Sequence, residues 1–186
     1  MKVTTVFLDR DGVINVDCPD YLLSAEDIKI QRGVPAALKK LKDAGIRVIV
    51  VSNQASIGKE LISRRASEAI YKEIIHRAEK KGGHVDGYYY CPHTPEDGCN
   101  CRKPGIGMFL RAKREHKIIM EEAVFVGDGY GDVGAAKRLK IPFYLVEQGW
   151  GRVTKVKSDR DGLPYIQVKN LADAVDKILD IKENNS

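Results

Sequence analysis

Two aspartates spaced one residue apart, Asp9 and Asp11, are the first residues in the chain that could carry out chemistry. They follow the apolar run Val6-Phe7-Leu8, which is typical of a buried strand, and they precede Gly12. In open α/β sheets, ligands bind in the crevice beyond the carboxyl ends of the strands. Two carboxylates this close repel each other unless a cation or a proton lies between them. The pair therefore indicates a metal-assisted site, although Asp-Gly is also common in ordinary surface turns.

Three further polar motifs follow along the chain. Ser52-Asn53 comes after the apolar run 46–51, Arg102-Lys103-Pro104 lies in a cysteine-rich stretch, and Asp128 comes after the apolar run 123–126. Together with Asp-x-Asp-Gly-Val at the start, this ordered set resembles the signature of the haloacid-dehalogenase-like phosphatases, over about residues 3–150. The resemblance implies hydrolysis of a phosphomonoester through a phospho-aspartate, with Mg²⁺ as the catalytic cofactor.

The resemblance also implies a role for each catalytic position. Asp9 matches the nucleophile, and Asp11 matches the general acid/base. Mg²⁺ would bind the side chains of Asp9 and Asp128 and the backbone carbonyl of Asp11. Ser52 and Lys103 match the groups that bind the phosphoryl oxygens and neutralise their charge.

A second cluster combines three thiols and one imidazole within eleven residues: Cys91, His93, Cys99 and Cys101. This spacing is typical of a structural Cys₃His zinc site. Disulfides are the competing interpretation, but they would leave one of the three cysteines unpaired and are rare in reducing compartments. The sequence therefore predicts a closed, four-ligand Zn²⁺ that folds the loop 91–101 and does not activate water. Cys18 is then a free thiol.

The cysteine-rich loop narrows the resemblance to the branch that contains histidinol phosphatases and heptose-bisphosphate phosphatases. The positions that match substrate contacts in that branch are Asp17, Asp20, Asn53, Gln54, Ala55, Arg102 and Gly129. Asn53 would contribute its backbone amide to the phosphate, and Asp132 matches a fourth acidic position with a supporting or structural role. The chain departs from the family pattern at Ser56, where glycine is usual, and at Gly129, where lysine is common.

The implied substrate is a small phosphorylated sugar, foremost a heptose bisphosphate. Histidinol phosphate and a phosphorylated polynucleotide end are alternatives, because related phosphatases use the same chemistry. A non-catalytic phosphate-binding domain is the alternative of a different class. The intact pair of Asp9 and Asp11 argues against it.

Predicted strands alternate with predicted helices, which is typical of an α/β fold with a doubly wound, mostly parallel sheet and helices on both faces. The predicted strands span residues 3–8, 46–51, 85–90, 123–126, 142–146 and, as a short edge strand, 165–168. The predicted helices span residues 33–44, 63–81, 105–116, 131–139 and a final stretch from Leu171 to Leu179. Segments 16–30 and 148–162 are predicted to be irregular. Only about 40 residues separate Asp11 from Ser52, so we expect no large cap domain and an open site.

Size and charge limit the class of protein. A chain of 186 residues with 43% hydrophobic and 31% charged residues predicts one globular domain over residues 1–186, with a strand-and-helix tail at about 163–182. The net charge of +5 favours anionic ligands, but the basic residues are spread over helical stretches and do not form a stripe interleaved with aromatics. We see no targeting segment or membrane-length apolar run. We therefore expect a cytoplasmic monomer without nucleic-acid or membrane partners.

Overall fold

Six strands form one parallel sheet in the computed structural model, which describes residues 2–18 and 20–183. The strands are β1 (Thr5–Leu8), β2 (Arg47–Asn53), β3 (Gly87–Cys91), β4 (Ala123–Gly127), β5 (Phe143–Val146) and β6 (Ile166–Val168). Their order in the sheet is β3-β2-β1-β4-β5-β6, and every neighbouring pair is parallel. The first strand therefore lies inside the sheet, between the second and the fourth.

Helices cover both faces of this sheet. They are α1 (Val34–Asp43), α2 (Ala55–Gly58), α3 (Arg64–Ala78), α4 (Gly107–His116), α5 (Tyr130–Leu139), α6 (Gly151–Arg160) and α7 (Leu171–Glu183). Single 3₁₀ turns occur at Pro95–Asp97 and Met120–Glu122. Helices α1, α3 and α7 contribute to one hydrophobic cluster, and α4 and α5 contribute to the other.

The two clusters follow from the alternation of side chains along each strand. In β1, Val6 and Leu8 belong to the cluster under α1, whereas Phe7 belongs to the cluster under α4. Phe7 and Phe125 both pack edge-on against Phe109 of α4, with ring centroids 5.0 and 5.1 Å away. Because both faces of the sheet are buried, the central strands need apolar residues at every position, and this explains their continuous apolar runs.

The predicted architecture is confirmed, with one clear error and one omission. Segment 148–162, predicted to be irregular, contains helix α6. Its buried positions are Gly151, Thr154 and Ser158, whereas Val153 and Val156 are exposed, so the sequence shows no apolar helical periodicity there. The single-turn helix α2 was not predicted.

The segment between β1 and β2 contains no cap domain among its described residues. It consists of an irregular stretch, a single antiparallel bridge between Asn15 and Ile30, and helix α1. The carboxyl edge of the sheet is therefore left open above β1. In the described part of the chain, no helix has the length and apolar character needed to cross a membrane.

The strand register brings the polar motifs to the same edge. Leu8, the last residue of β1, lies opposite Val50 of β2 and Val126 of β4. The residues that follow each of these positions extend beyond the same edge of the sheet, because the strands are parallel. The fold thus places Asp9, Ser52 and Asp128 around one crevice.

We predict that Phe109→Ala lowers the free energy of unfolding by roughly 3–5 kcal/mol, because it empties a fully buried position between two aromatic rings. The matched control is Leu110→Ala, one residue along the same helix, where the side chain is 48% exposed. That variant should change stability by no more than about 0.5 kcal/mol. Urea unfolding measures both, and equal losses would contradict the assignment of Phe109 to the core.

Candidate active site and metal-binding loop

A cavity of about 430 Å³ opens at the carboxyl edge of β1, β2 and β4. Its lining includes Asp9, Asp11, Ser52, Lys103 and Asp128. The structure therefore brings together residues from four separate motifs that the sequence predicted to act as one site. The volume is within the range that small-molecule sites occupy.

Lys103 is the cation at the centre of this cavity, and its side chain is only 2% exposed. The Nζ atom lies 2.8 Å from Oδ1 of Asp9 and 2.7 Å from Oδ1 of Asp132, and it donates a 3.0 Å hydrogen bond to the Val51 carbonyl. Burial acts to lower the pKa of Lys103, but the carboxylates of Asp132 and Asp9 outweigh it and raise the pKa above its usual value. The ammonium group therefore stays charged.

The backbone of Lys103 is held by the side chain of Asn53. The Lys103 N–H donates to Oδ1 of Asn53 at 3.0 Å, and Nδ2 of Asn53 donates back to the Lys103 carbonyl at 3.2 Å. This reciprocal pair joins the end of β2 to the loop that carries the lysine. The sequence prediction concerned only the backbone amide of Asn53, so this contact is an addition.

Three carboxylates converge next to the lysine. The ligand oxygens of Asp9, Asp128 and Asp132 lie within 4.8 Å of one another. Burial and the charge of Asp132 raise the pKa of Asp9 well above its usual value and raise that of Asp128 to about 7. With one ammonium beside them, the ionised cluster has an excess of two negative charges, which a divalent cation would balance. Hard oxygen donors are the ligands that Mg²⁺ prefers.

Asp132 has fewer free oxygens than its two neighbours. Its Oδ1 pairs with Lys103, and its Oδ2 accepts a 2.9 Å hydrogen bond from the Gly129 N–H at the start of α5. This arrangement fits the supporting role that the sequence predicted. Asp9 and Asp128 are therefore the better candidates to hold a metal.

Two glycines pack directly against the Asp128 carboxylate. A Cβ atom on Gly12 or on Gly149 would lie 2.1 Å from Oδ2 of Asp128, and both residues have positive φ angles, of 77° and 56°. The Trp150 N–H donates to the same oxygen at 2.9 Å. The close approach of two loops thus fixes the position of Asp128, and only glycine permits it.

The carboxylate of Asp11 is held by three side chains. Arg10 donates to both of its oxygens at 2.8 and 2.7 Å, and Asn15 and Gln54 each donate to it at 2.9 Å. Burial acts to raise the pKa of Asp11, but the charge and hydrogen bonds of Arg10, with those of Asn15 and Gln54, lower it. Gln54 also donates to Oγ of Ser52 at 2.7 Å. The sequence analysis did not single out Arg10 or Asn15.

The four predicted zinc ligands converge at the carboxyl end of β3. Nδ1 of His93 lies 3.5 Å from the Cys91 sulfur and 3.2 Å from the Cys101 sulfur, and the three sulfur atoms are separated by 3.3–3.5 Å. These separations exclude a disulfide, which requires about 2.05 Å. Four soft and borderline donors around one point are a donor set that fits tetrahedral Zn²⁺.

The loop that carries this cluster leads directly to the lysine. Arg102 donates its backbone N–H to the Cys99 sulfur at 3.4 Å and its Nη1 to the His93 carbonyl at 3.2 Å. Its neighbour Lys103 reaches the centre of the cavity. A metal bound to the loop would therefore order the segment that supplies the central cation.

The remaining predicted substrate contacts fall in two groups. Five line the cavity, namely Asp17, Asn53, Gln54, Arg102 and Gly129. Asp20 is exposed and Ala55 is buried at the start of α2, and neither lines the cavity. The cavity also includes Tyr21 and Trp150, which the sequence analysis did not select. Pro19, which lies between Asp17 and Asp20 in the sequence, is outside the described residues.

Comparison with known proteins gives consistent matches. The family model described as polynucleotide kinase 3 phosphatase matches residues 8–161. The chain is 32% identical over 181 residues to D-glycero-beta-D-manno-heptose-1,7-bisphosphate 7-phosphatase from Helicobacter pylori strain J99, covering 93% of this chain and 95% of that one. It is 39% identical over 153 residues to the protein of the same name from Pseudomonas putida, covering 82% of this chain and 87% of that one.

A solved structure matches along almost the whole length of the chain. It is that of D,D-heptose 1,7-bisphosphate phosphatase from B. bronchiseptica, complexed with magnesium and phosphate. The two chains superpose with a TM-score of 0.89 and 31% identity, covering 97% of this chain and 99% of that one. By fold, family model and relatives, the chain belongs to the haloacid-dehalogenase-like phosphatases.

Proposed function

We propose that this protein is an Mg²⁺-dependent phosphomonoesterase that removes the 7-phosphate of D-glycero-D-manno-heptose 1,7-bisphosphate, a reaction of carbohydrate metabolism. The observation that carries the proposal is the buried ion pair between Lys103 and Asp9 beside the Asp128 carboxylate. This arrangement would provide a nucleophile, a cation that neutralises phosphate charge and metal ligands in one cavity. The relatives named above support the choice of substrate.

The proposed reaction has two steps. In the first step, Asp9 attacks the phosphorus atom and forms an aspartyl phosphate, while Asp11 gives a proton to the leaving alkoxide. In the second, Asp11 takes a proton from the water that attacks the phosphorus of this intermediate, and inorganic phosphate is released. Mg²⁺, held by Asp9, Asp128 and the Asp11 carbonyl, would neutralise charge on the phosphoryl oxygens. Lys103 and the Ser52 hydroxyl would contact the same oxygens.

Without substrate, the Asp11 carboxylate is bound to Arg10, Asn15 and Gln54. To serve as the acid in the first step, Asp11 must take up a proton from solvent and exchange the Arg10 contact for the oxygen of the leaving group. The proton that it takes from water in the second step restores it for the next turnover. Gln54 donates hydrogen bonds to both Asp11 and Ser52. A phosphate that binds to the Ser52 hydroxyl would therefore also change the hydrogen bonding of Gln54 to Asp11.

The distal part of the substrate would lie towards the mouth of the cavity. Arg102 lines the cavity next to Lys103 and is only partly buried, so it can reach an anionic end. A guanidinium group pairs with phosphate in a bidentate manner. Asp17 would accept hydrogen bonds from sugar hydroxyls, and Gly129 and the Asn53-Gln54 segment would border the sugar.

A polynucleotide 3′-phosphate is the second candidate, because the matching family model carries that description and the cavity is open. The dispersed basic residues argue against it, since binding to a nucleic-acid backbone depends on a concentrated positive surface. Histidinol phosphate is the third candidate. Its cationic amine would meet repulsion from Arg102.

We propose that the loop cluster holds one Zn²⁺ through Cys91, His93, Cys99 and Cys101. Four protein ligands leave no open position, so this metal would have a structural role. The contacts from Arg102 to Cys99 and His93 would then depend on it.

We predict that the purified enzyme with Mg²⁺ releases phosphate from the heptose bisphosphate with a higher kcat/KM than from histidinol phosphate or a 3′-phosphorylated oligonucleotide. Asp9→Asn should lower turnover by at least about 10³-fold, because the amide cannot act as the nucleophile. Asp43→Asn, an exposed aspartate of α1, is the control and should retain wild-type turnover. A preference for either rival substrate would overturn the proposed substrate, and an active Asp9→Asn enzyme would overturn the mechanism.

We predict that Gly12→Ala weakens Mg²⁺ binding by roughly tenfold or more, because the new Cβ displaces the Asp128 carboxylate. The matched control is Gly82→Ala, which has a similar φ of 85° but no atom within 4 Å of the added Cβ. Both variants share the cost of a left-handed residue, about 1–2 kcal/mol. Calorimetric titration with Mg²⁺ should show a loss of affinity only for Gly12→Ala, and equal affinities would contradict the placement of Asp128 in the metal site.

We predict one tightly bound zinc per chain by elemental analysis after expression with ample zinc. Cys101→Ser should lose that zinc and also lose phosphatase activity, because the loop no longer holds Lys103 in place. Cys18→Ser is the control, since Cys18 is a free thiol outside the cluster, and it should retain the zinc. Wild-type protein without zinc, or a zinc-free Cys101→Ser enzyme of full activity, would contradict the proposal.

A further inference from the structure

The chain contains a single tryptophan, Trp150, and it lies at the mouth of the cavity. The residue is 58% exposed, although it occupies the connection between β5 and α6 that lines the site. A ring that is this exposed adds little to the core. Its place in the lining of a binding cavity leaves its faces available to a ligand.

The position of Trp150 is fixed relative to the catalytic carboxylates. Its backbone N–H donates to Oδ2 of Asp128 at 2.9 Å. The preceding residue, Gly149, approaches so closely that a Cβ there would lie 2.1 Å from Asp128 Oδ2 and 3.2 Å from Cα of Gly12. The loop that carries the tryptophan thus packs against the residues that follow β1 and β4. This packing fixes the backbone from which the indole projects.

The carboxylate of Asp17 lines the same cavity as the indole. Burial and the nearby Asp11 raise the pKa of Asp17, whereas the Trp150 side chain acts to lower it. The only polar group of the indole is its N–H, so the flat faces of the ring are apolar. The cavity therefore offers both an apolar plate and an acceptor for hydroxyl groups.

A second aromatic residue, Tyr21, also lines the cavity, and Nζ of Lys59 lies 5.4 Å from the centre of its ring. The same lining includes the charged groups of Asp9, Lys103 and Asp128. The cavity thus combines two aromatic side chains with a cluster of charged groups.

We propose that Trp150 is a specificity-determining residue whose indole packs against the C–H face of the substrate's sugar, while Asp17 accepts hydrogen bonds from the sugar hydroxyls. The inference rests on the proposed phosphatase function and extends it from the phosphate to the body of the substrate. A sugar ring has one surface of C–H groups and a rim of hydroxyls, and the paired indole and carboxylate match both features. Inorganic phosphate or acetyl phosphate, which carry no sugar, would not contact the indole.

The first test compares a sugar substrate with one that has no sugar. Trp150→Ala retains the backbone N–H that holds Asp128, so its effect reports on the indole. The ratio of kcat/KM for the heptose bisphosphate to that for acetyl phosphate should fall by roughly tenfold or more, mainly through KM. Trp150→Phe retains an aromatic plate and should recover most of the ratio. Val156→Ala, at an exposed position of helix α6, which follows Trp150, should leave the ratio at its wild-type value.

An unchanged ratio in Trp150→Ala, with both substrates still cleaved, would overturn the role of Trp150 and leave the phosphatase function intact. If the wild-type enzyme hydrolyses neither the heptose bisphosphate nor acetyl phosphate, the proposed function is overturned instead. The two failures are thus distinguishable within one set of assays.

The second test uses the fluorescence of the only tryptophan, which reports on Trp150 alone. In the inactive Asp9→Asn protein with Mg²⁺, the heptose bisphosphate should shift the emission to shorter wavelength as the indole is covered. Inorganic phosphate should not shift it. The proposal would be overturned if the spectrum stays unchanged at concentrations of the bisphosphate that saturate binding in calorimetry. It would also be overturned if only histidinol phosphate shifts the emission.

Discussion

The buried pairing of Lys103 with the carboxylates of Asp9 and Asp132 is the interaction on which the rest of the site depends. A charged group taken out of water must be paired, because its desolvation costs several kcal/mol. Here one ammonium is shared by two carboxylates at 2.7–2.8 Å, with a third carboxylate close by. A divalent cation would balance the remaining negative charge. This charge also explains why the site needs further positive groups before it can accept a phosphate dianion.

The fold meets the requirement for paired charges by supplying them from different elements, namely the ends of two strands and a loop. Asp9 and Asp128 come from the ends of neighbouring strands, and their positions follow from the register of β1 and β4. Lys103 comes from a loop beyond β3 that has few apolar residues to hold it. The reciprocal hydrogen bonds with Asn53 fix its backbone from one side, and a metal held by the cysteine-histidine cluster would order the loop from the other. The same loop presents Arg102 to the outer cavity, so the lysine proposed to bind the phosphate and the arginine proposed to bind the distal end are held by one loop.

The sequence predicted the parts that depend on local pattern. The apolar runs predicted the central strands because both faces of the sheet are buried, and the motif at Asp9 and Asp11 predicted the crevice because parallel strands end at one edge. Helix α6 could not be predicted in this way, because it buries glycine, threonine and serine and exposes valine. Trp150 was missed for the same reason, since its place at the cavity depends on that helix and on the close approach of Gly149 to Asp128. The Arg10 side chain bonds to the carboxylate of Asp11, its neighbour in sequence. The sequence did not indicate this contact, because it depends on the path of the chain at the turn, where Gly12 has a positive φ.

We propose that this crevice, with its excess negative charge balanced by a divalent cation, makes Asp9 a nucleophile. The most direct measurement is to quench the enzyme during turnover, reduce it with borohydride, and map the modified residue by mass spectrometry. An acyl phosphate on an aspartate is reduced to homoserine, whereas a free carboxylate is not. We predict homoserine at position 9 in the enzyme with substrate and Mg²⁺, and its absence when either is omitted. Homoserine at another aspartate, or none during a phase in which the enzyme is shown to hold covalent phosphate, would contradict it.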